Sequence, residues 1–410
     1  MVAVDRKFAA VVDDAPLAGR HFILLQGPSS RFFLHVGKAL RRRGAKVTRI
    51  AFSPADHLYW SRSAGSLLPY RGKAEDFGSW LNETLRHVGA TDLIMLGDGR
   101  GFHRAALETV AANSAVTPWI VELGYLRPGL LTFYDARTGP VQSGTLPPEP
   151  PQSRIPSWFP REAAQDVLYH AANSIAPIAG YRHYRPHALD GPAREYSGWV
   201  LKALRLPARR MAARTALTRI MAHDGPTFLI PLQLDTDFQL RLRGTGNPQQ
   251  DDLLATMQSF KEHAPKDSLL VVKEHPMDNG LRRYVDVTAD CARKAGIADR
   301  CVFLDGGTVE ALFPRISGVV TINSTVGLSA LIEGVPVKVL GKAIYDRDGL
   351  TYQGPLDDFW LEGTPPDKEL ATLFQRNLRH FSHVPGSFDG PGALVGADNI
   401  ARRLAGERPA

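Results

Sequence analysis

A few short polar clusters in this chain carry side chains that can hold an anion, move a proton or attack carbon. Asn323-Ser324-Thr325 follows the β-branched run Val319 to Ile322 and precedes a helical run, Val326 to Glu333, closed by Gly334. A strand feeding a helix through a small polar turn leaves free N–H groups at the helix start. The hydroxyls of Ser324 and Thr325 add donors, so phosphate is the natural guest, with a plain helix cap as the alternative. Asp235-Thr236-Asp237 supplies two carboxylates. In extended backbone both would face one side and could hold Mg²⁺ or Mn²⁺ against a diphosphate; otherwise Asp235 acts alone as nucleophile or base and Asp237 is structural. Lys273-Glu274-His275-Pro276 sets an ammonium and an imidazole at a strand end, with the proline fixing the turn. Glu122 ends the run Thr117 to Glu122 and leads into Leu123-Gly124-Tyr125-Leu126-Arg127-Pro128, so it either points into a crevice or pairs with Arg127. No zinc-spaced His/Cys set, G-x-S-x-G elbow or Walker loop occurs.

Each of these clusters follows a run that reads as a buried strand. In the second half the order is strand Thr227 to Gln233, helix Gln249 to His263, strand Ser268 to Val272, helix Leu281 to Ala295 and strand Cys301 to Leu304. Helix Thr308 to Ile316, the strand and helix around Asn323, and strand Val335 to Leu340 complete it. The first half alternates in the same way, with strands at His21 to Gln26, Val47 to Phe52, Asp92 to Leu96 and Thr117 to Glu122 separated by helical runs. Alternation of this kind predicts α/β layers with parallel sheets, whose ligands collect at the carboxyl ends of the strands. The turn after the first strand, from Gln26 and Gly27 to Ser30, is not a G-x-G-x-x-G fingerprint; it reads as a polar loop for an acceptor or sugar, or as a plain connection. Asp56 to Gly72, rich in aromatics, reads as packing. Pro140 to Pro160 reads as loop and Ala176 to Ser197 as irregular, which sets two domains at 1–195 (acceptor) and 196–410 (nucleotide-sugar).

Composition narrows the partners. A net charge of +7 and a pI near 9.4, with cations grouped at Arg41-Arg42-Arg43 and between Lys202 and Arg219, attract an anionic substrate, lipid or nucleic acid. No nucleic-acid-binding signature accompanies them, which argues against that partner. The two cysteines, Cys291 and Cys301, read as reduced buried thiols of a cytosolic chain. Met1 to Asp14 carries Asp5, Asp13 and Asp14 without an apolar core, unlike a signal peptide, and no apolar run reaches the ~20 residues of a membrane span. A membrane would be met from its surface.

The runs Glu122 to Pro128, Gln233-Leu234-Asp235, Lys273 to Pro276, Asn323 to Leu328, Leu340 to Asp346, Gly349-Leu350-Thr351 and Leu356 to Trp360 together resemble the capsule polysaccharide biosynthesis/export family of bacterial proteins. The resemblance implies a GT-B-like enzyme of two Rossmann-type, doubly wound domains facing a central cleft, with no metal or other cofactor. It implies a retaining β-Kdo transferase that takes Kdo from CMP-Kdo to a (lyso)phosphatidylglycerol anchor, peripheral on the inner face of the inner membrane, with other capsule synthesis or export proteins as partners and no nucleic acid. By the same likeness Asp235 is the nucleophile and Glu122 an acid/base or orienting carboxylate. Lys273, His275, Pro276, Asn323, Ser324 and Thr325 hold the CMP phosphate and its surroundings, and Gln26, Gly27, Tyr125, Arg127 and Gln233 complete the substrate-binding set. Glu274 and Asp237 depart from the family's usual residues. A metal-dependent transferase using Asp235 and Asp237, and a non-catalytic export component, stay open beside this reading.

Overall fold

The computed structural model describes residues 15–112, 115–126, 128–142, 159–185, 191–237, 240 and 243–407. In chain order the first elements are β1 (His21–Leu24), α1 (Phe32–Arg42), β2 (Lys46–Ala51), α2 (Pro54–Leu58), β3 (Ser66–Pro69), α3 (Phe77–Val88), β4 (Asp92–Leu96), α4 (Gly101–Ala111), β5 (Thr117–Leu123), β6 (Leu130–Asp135) and α5 (Phe159–Asn173). The next are α6 (Pro192–Leu204), α7 (Leu206–Met221), β7 (Thr227–Pro231), α8 (Gln249–His263), β8 (Leu269–Lys273), α9 (Tyr284–Lys294), β9 (Cys301–Leu304), β10 (Gly318–Thr321), α10 (Thr325–Ile332) and β11 (Val337–Val339). The last are α11 (Leu356–Glu362), α12 (Lys368–Asn377), β12 (His383–Pro385) and α13 (Gly390–Leu404).

These elements form two compact units, one of Met1–His187 with Arg376–Ala410 and one of Ala188–Gln375. The seven-stranded sheet of the first runs β12-β6-β5-β4-β1-β2-β3, parallel from β3 to β5 and antiparallel at β6 and β12. The five-stranded sheet of the second runs β11-β10-β7-β8-β9 and is parallel throughout. Taken by order of appearance within each unit, both parallel sheets have the Rossmann order 3-2-1-4-5. The expected pair of Rossmann-type α/β domains is therefore present. In each, the connections leave the sheet in opposite directions after strands 1 and 4, opening a crevice at their carboxyl ends. That switch point lies after β1 and β4 in the first unit and after β7 and β10 in the second.

Period-two burial builds both faces. Phe22 and Leu24 pack with Phe32, Val36 and Leu40 of α1, while Ile23 and Leu25 pack with Phe77 and Leu81 of α3 on the opposite face. In the second unit Phe228, Ile230 and Leu232 meet Leu253, Met257 and Phe260 of α8, with Phe359 and Trp360 closing the cluster.

Three expectations are corrected. The domain division at 195/196 does not hold, because residues 376–410 return to the first unit: β12 pairs with β6, and Ala393, Ala397, Ile400 and Leu404 of α13 share the core of α1. Burial of that apolar stripe, rather than chain order, decides where the end of the chain belongs. The helix expected over Thr308 to Ile316 is only a 3₁₀ turn, Phe313–Arg315, because Pro314 has no N–H to continue it. The stretch expected to be irregular as far as Ser197 becomes helical at Pro192, and α7 likewise begins with Pro207 in its first turn, where a missing N–H costs nothing.

Candidate active site

The switch point of the second unit gathers several of the expected residues into one hydrogen-bond network. Gln233, two residues beyond β7, donates from Nε2 to Asn323 Oδ1 (2.7 Å) and accepts at Oε1 from the Asn323 N–H (3.2 Å). Its own backbone is clasped by Gln249 of α8, which accepts the Gln233 N–H at 2.7 Å and donates to the Gln233 carbonyl at 3.0 Å. Gln249 also donates to the Tyr284 hydroxyl (2.9 Å), and that hydroxyl donates to Asp235 Oδ1 (2.7 Å). Arg282 completes the set, donating from Nη1 to Asp235 Oδ2 at 3.1 Å and from Nη2 to Gln250 at 2.9 Å. The Asp235 carboxylate is thus fixed at both oxygens while 32% of its side-chain surface stays open to a ligand. Burial and the neighbouring Asp235 charge push the Tyr284 phenol up, so it is a donor at neutral pH.

Across the switch point, Ser324 caps α10 by accepting the Val326 N–H at 3.2 Å, and Thr325 is the first helical residue. The Ser324 carbonyl accepts from Tyr345 (2.5 Å), which fixes the turn. Capping uses the Ser324 oxygen as an acceptor, leaving its hydroxyl hydrogen and the remaining first-turn N–H groups for an anion.

Asp235 and Asp237 do not extend as a strand. The Asp237 N–H returns to the Leu234 carbonyl at 2.9 Å, closing a turn, so the two carboxylates lack the same-side alternation that the D-x-D reading needs. Among the described residues no group of three or more His, Cys, Asp or Glu side chains could share a metal ion.

Lys273-Glu274-His275-Pro276 divides between structure and rim. Lys273 is buried, its amine donates to the Gly306 carbonyl at 3.0 Å, and burial lowers its pKa below the usual lysine range. Glu274 accepts from Lys202 of α6 (2.8 Å), which also donates to the Asp278 carbonyl (2.6 Å). Arg209 of α7 lies 3.9 Å from the same carboxylate and grips Asp305 with a bond of 2.6 Å. Burial raises the Glu274 carboxyl to about 7, against the opposing Lys202 bond and with help from the Asp305 charge. Burial alone would also raise Asp305, but the Arg209 bonds outweigh it and hold that carboxyl below its usual range. Glu274 is a tie between α6 and the end of β8. His275 is half-buried, its Nδ1 accepting the Met277 N–H at 3.1 Å, and Pro276 is exposed on the rim.

The first unit has its own rim. Glu122, near the end of β5, lies over Gly97 after β4, where an added Cβ would sit 2.8 Å from Glu122 Oε1 and where φ is +66°, so only glycine fits. Gln26 is buried and donates to the Tyr169 hydroxyl of α5 at 2.7 Å. Gly27 abuts the Phe33 ring, which a Cβ would meet at 2.8 Å. The Tyr125 and Leu126 N–H groups both donate to His383 Nε2, at 3.0 and 3.2 Å, while His383 Nδ1 donates to the Leu378 carbonyl at 2.7 Å. Burial lowers the His383 imidazole to about 4, keeping it neutral and able to accept. Arg127 lies outside the described residues.

Gln233 and Asn323 come together as a pair, Asp235 joins them through Gln249 and Tyr284, and Gln26, Gly27, Tyr125 and Glu122 are placed on the first unit. Sequence reasoning missed Gln249, Arg282, Tyr284, Lys202, Arg209 and His383. Only Lys202 and Arg209 had a sequence signal, as parts of one basic run.

Two Rossmann-type layers, one of them carrying the Asp235 carboxylate held at both oxygens and the Ser324-capped start of α10, define an α/β protein with parallel sheets. The chain belongs to the capsule polysaccharide biosynthesis protein family, whose model matches residues 91–388. It is 32% identical over 374 residues to the capsule polysaccharide export protein KpsS of Escherichia coli, covering 88% of this chain and 95% of that one. It is 28% identical over 390 residues to the capsule polysaccharide modification protein LipB of Neisseria meningitidis serogroup A, covering 90% and 92%. Among solved structures it is similar to the β-Kdo 2,7 transferase KpsC of Thermosulfurimonas dismutans, at 15% identity with a TM-score of 0.44, covering 94% of this chain and 99% of that one.

Proposed function

We propose that this chain is a retaining β-Kdo transferase that moves Kdo from CMP-Kdo to a (lyso)phosphatidylglycerol anchor. Family membership supports a role in capsule assembly, and the observation that carries the chemistry is the Asp235 carboxylate, oriented by Tyr284 and Arg282 beside the Gln233–Asn323 turn. In the first displacement Asp235 attacks the anomeric carbon, the carbon–oxygen bond to CMP breaks, and CMP leaves with the electron pair. CMP is held by the Ser324 helix start, with His275, two residues beyond β8, at the strand ends of the same sheet. In the second displacement an acceptor hydroxyl attacks the glycosyl ester, its proton goes to Glu122 and Asp235 is released. No metal enters either step.

Asp235→Asn keeps the shape and removes the charge, so it retains CMP binding and loses transfer, while Glu122→Gln lets a Kdo adduct accumulate on Asp235. Intact-protein mass spectrometry of the Glu122→Gln variant mixed with CMP-Kdo reads that adduct, and an Asp235→Asn protein turning over near the wild-type rate ends the proposal. Undiminished capsule formation in an Asp235→Ala strain would favour a non-catalytic role in export.

The same reading sets the enzyme on the inner face of the inner membrane. Among the described residues no helix is long and apolar enough to cross a bilayer. The α6–α7 surface supports attachment: Val200, Leu201 and Leu204 form an exposed stripe, Met211 is 70% exposed, and Arg205, Arg210 and Arg214 are exposed around them. Each cation contributes ~1 kcal/mol near an anionic leaflet. Sedimentation with phosphatidylglycerol vesicles should fall as salt rises; equal sedimentation with neutral vesicles refutes it.

A further inference from the structure

The switch point of the first sheet contains a guanidinium without a counter-ion. Arg100 sits in the turn between β4 and α4 and reaches across to the loop after β1, donating from Nη1 to the Gly27 carbonyl at 3.3 Å. It forms no ion pair among the described residues. The carboxylate whose field reaches it, Asp56, is already committed: it accepts from Arg49 at 2.6 Å, from the Phe52 N–H at 2.9 Å and from Ser53 at 3.2 Å. Arg100 is half-buried, and one long bond to a carbonyl leaves most of its N–H groups without a protein acceptor among the described residues.

Two phenols neighbour Arg100. Tyr169 and Tyr184 both lie within its field, and burial raises both phenols, so each keeps its proton at neutral pH. Tyr169 accepts from Gln26 at 2.7 Å and Tyr184 accepts from Asn173 at 3.1 Å. Both hydroxyls act only as acceptors in these bonds, so neither phenolic hydrogen is used among the described residues. The first turn of α4, which follows Arg100 directly, has no side-chain cap and no acidic residue. A planar cation with several N–H groups, a phenol and an uncapped helix start suit a tetrahedral oxyanion better than a sugar hydroxyl.

We propose that Arg100 binds the phosphate of the acceptor at the crevice of the first sheet, with the Tyr169–Tyr184 pair supplying the second donor. The proposal rests on the transferase reading for the word acceptor, and it names a phosphate-bearing headgroup as what the first unit selects. Glu122, at the end of the neighbouring strand β5, is then on the same rim as the group that anchors the nucleophilic hydroxyl's own molecule.

The test uses the full chain and three probes: glycerophosphoglycerol, inorganic phosphate and glycerol. Titration calorimetry of the wild type, Arg100→Ala and Arg100→Lys gives affinities, and a thermal melt gives stability. Expected are binding of glycerophosphoglycerol weakened at least ~10-fold in Arg100→Ala, as for loss of one charged hydrogen-bonding group, and partial recovery in Arg100→Lys. CMP affinity and the melting temperature should stay unchanged, since Arg100 contributes only one long bond to the fold. Headgroup affinity that ignores Arg100→Ala overturns the proposal, and so does a lowered melting temperature without loss of affinity, which would make Arg100 structural. Inorganic phosphate binding as tightly as the headgroup, or glycerol binding equally well, overturns the assignment to an acceptor. If wild-type protein transfers no Kdo yet binds the headgroup through Arg100, the transferase reading fails and this site stands.

Discussion

Replacing Tyr284 by phenylalanine removes one oxygen from the centre of the network that holds Asp235. The ring is almost wholly buried and stays in place, so packing with α8 is kept. Two bonds are lost: the donor to Asp235 at 2.7 Å and the acceptor for Gln249 at 2.9 Å. The first is charge-assisted and worth about 1.5–3 kcal/mol, taken at its low end because Asp235 is partly open to replacement water. Gln249 keeps its bond to the Gln233 carbonyl and is left with one unsatisfied N–H, a further ~1 kcal/mol. The sum, about 2–3 kcal/mol, lowers the melting temperature by roughly 4–12 °C for a unit of this size. Asp235 then depends on Arg282 alone, whose side chain is 39% exposed. A displacement near 1 Å costs on the order of 100-fold in rate. The assay is transfer from CMP-Kdo at temperatures well below the melt, beside calorimetric CMP affinity. A drop in kcat of about 30- to 100-fold with CMP binding unchanged is expected. A variant that melts lower yet transfers at the wild-type rate would show that Tyr284 holds the fold and not the nucleophile.

The two units should respond to pH in opposite directions. Glu274 is raised to about 7 by burial, so the folded state holds a proton that the unfolded chain releases; stability is present below about pH 4.5 and lost as pH rises to about 7, up to ~3 kcal/mol, and Glu274→Gln should abolish that slope in hydrogen exchange of β8 and α6. His383 is lowered to about 4, so its stabilisation is present above pH 6.5 and lost as pH falls to about 4; acid should open β6 and β12 before the second unit, and a His383→Phe protein that keeps the same acid response refutes this origin. Gly97→Ala should cost more than ~1 kcal/mol, because positive φ and the Glu122 carboxylate both oppose a Cβ; a melt within experimental error of wild type would mean that the loop moves aside without cost.

The alternation of both halves was legible because parallel strands are buried on both sides and read as short apolar runs. Asp92–Leu96, Gln249–His263 and Cys301–Leu304 were placed to the residue. Gln233 and Asn323 were readable as polar residues after strands, but their pairing depends on β7 and β10 being neighbours, which no local pattern states. Tyr284 looked like one residue of an amphipathic helix; that its hydroxyl faces Asp235 follows from how α9 lies against α8. β12 has three residues and no period to read, so the return of the chain to β6 was invisible. The stretch to Ser197 read as irregular although α6 starts at Pro192, because the sequence does not distinguish a proline that ends a helix from one that starts it.

β12 and α13 supply the last strand and much of one face of the core in the unit that begins the chain. During synthesis the second unit is continuous and can close as soon as it leaves the ribosome. The first must wait, with β6 unpaired along one edge and Phe32, Val36 and Leu40 uncovered, until β12 and α13 arrive. A nascent chain stopped just after Gln375 therefore carries one finished unit and one sticky one. Residues 376–404 thus complete the first unit, and a stop codon ahead of them should yield an aggregating protein rather than a shorter stable one.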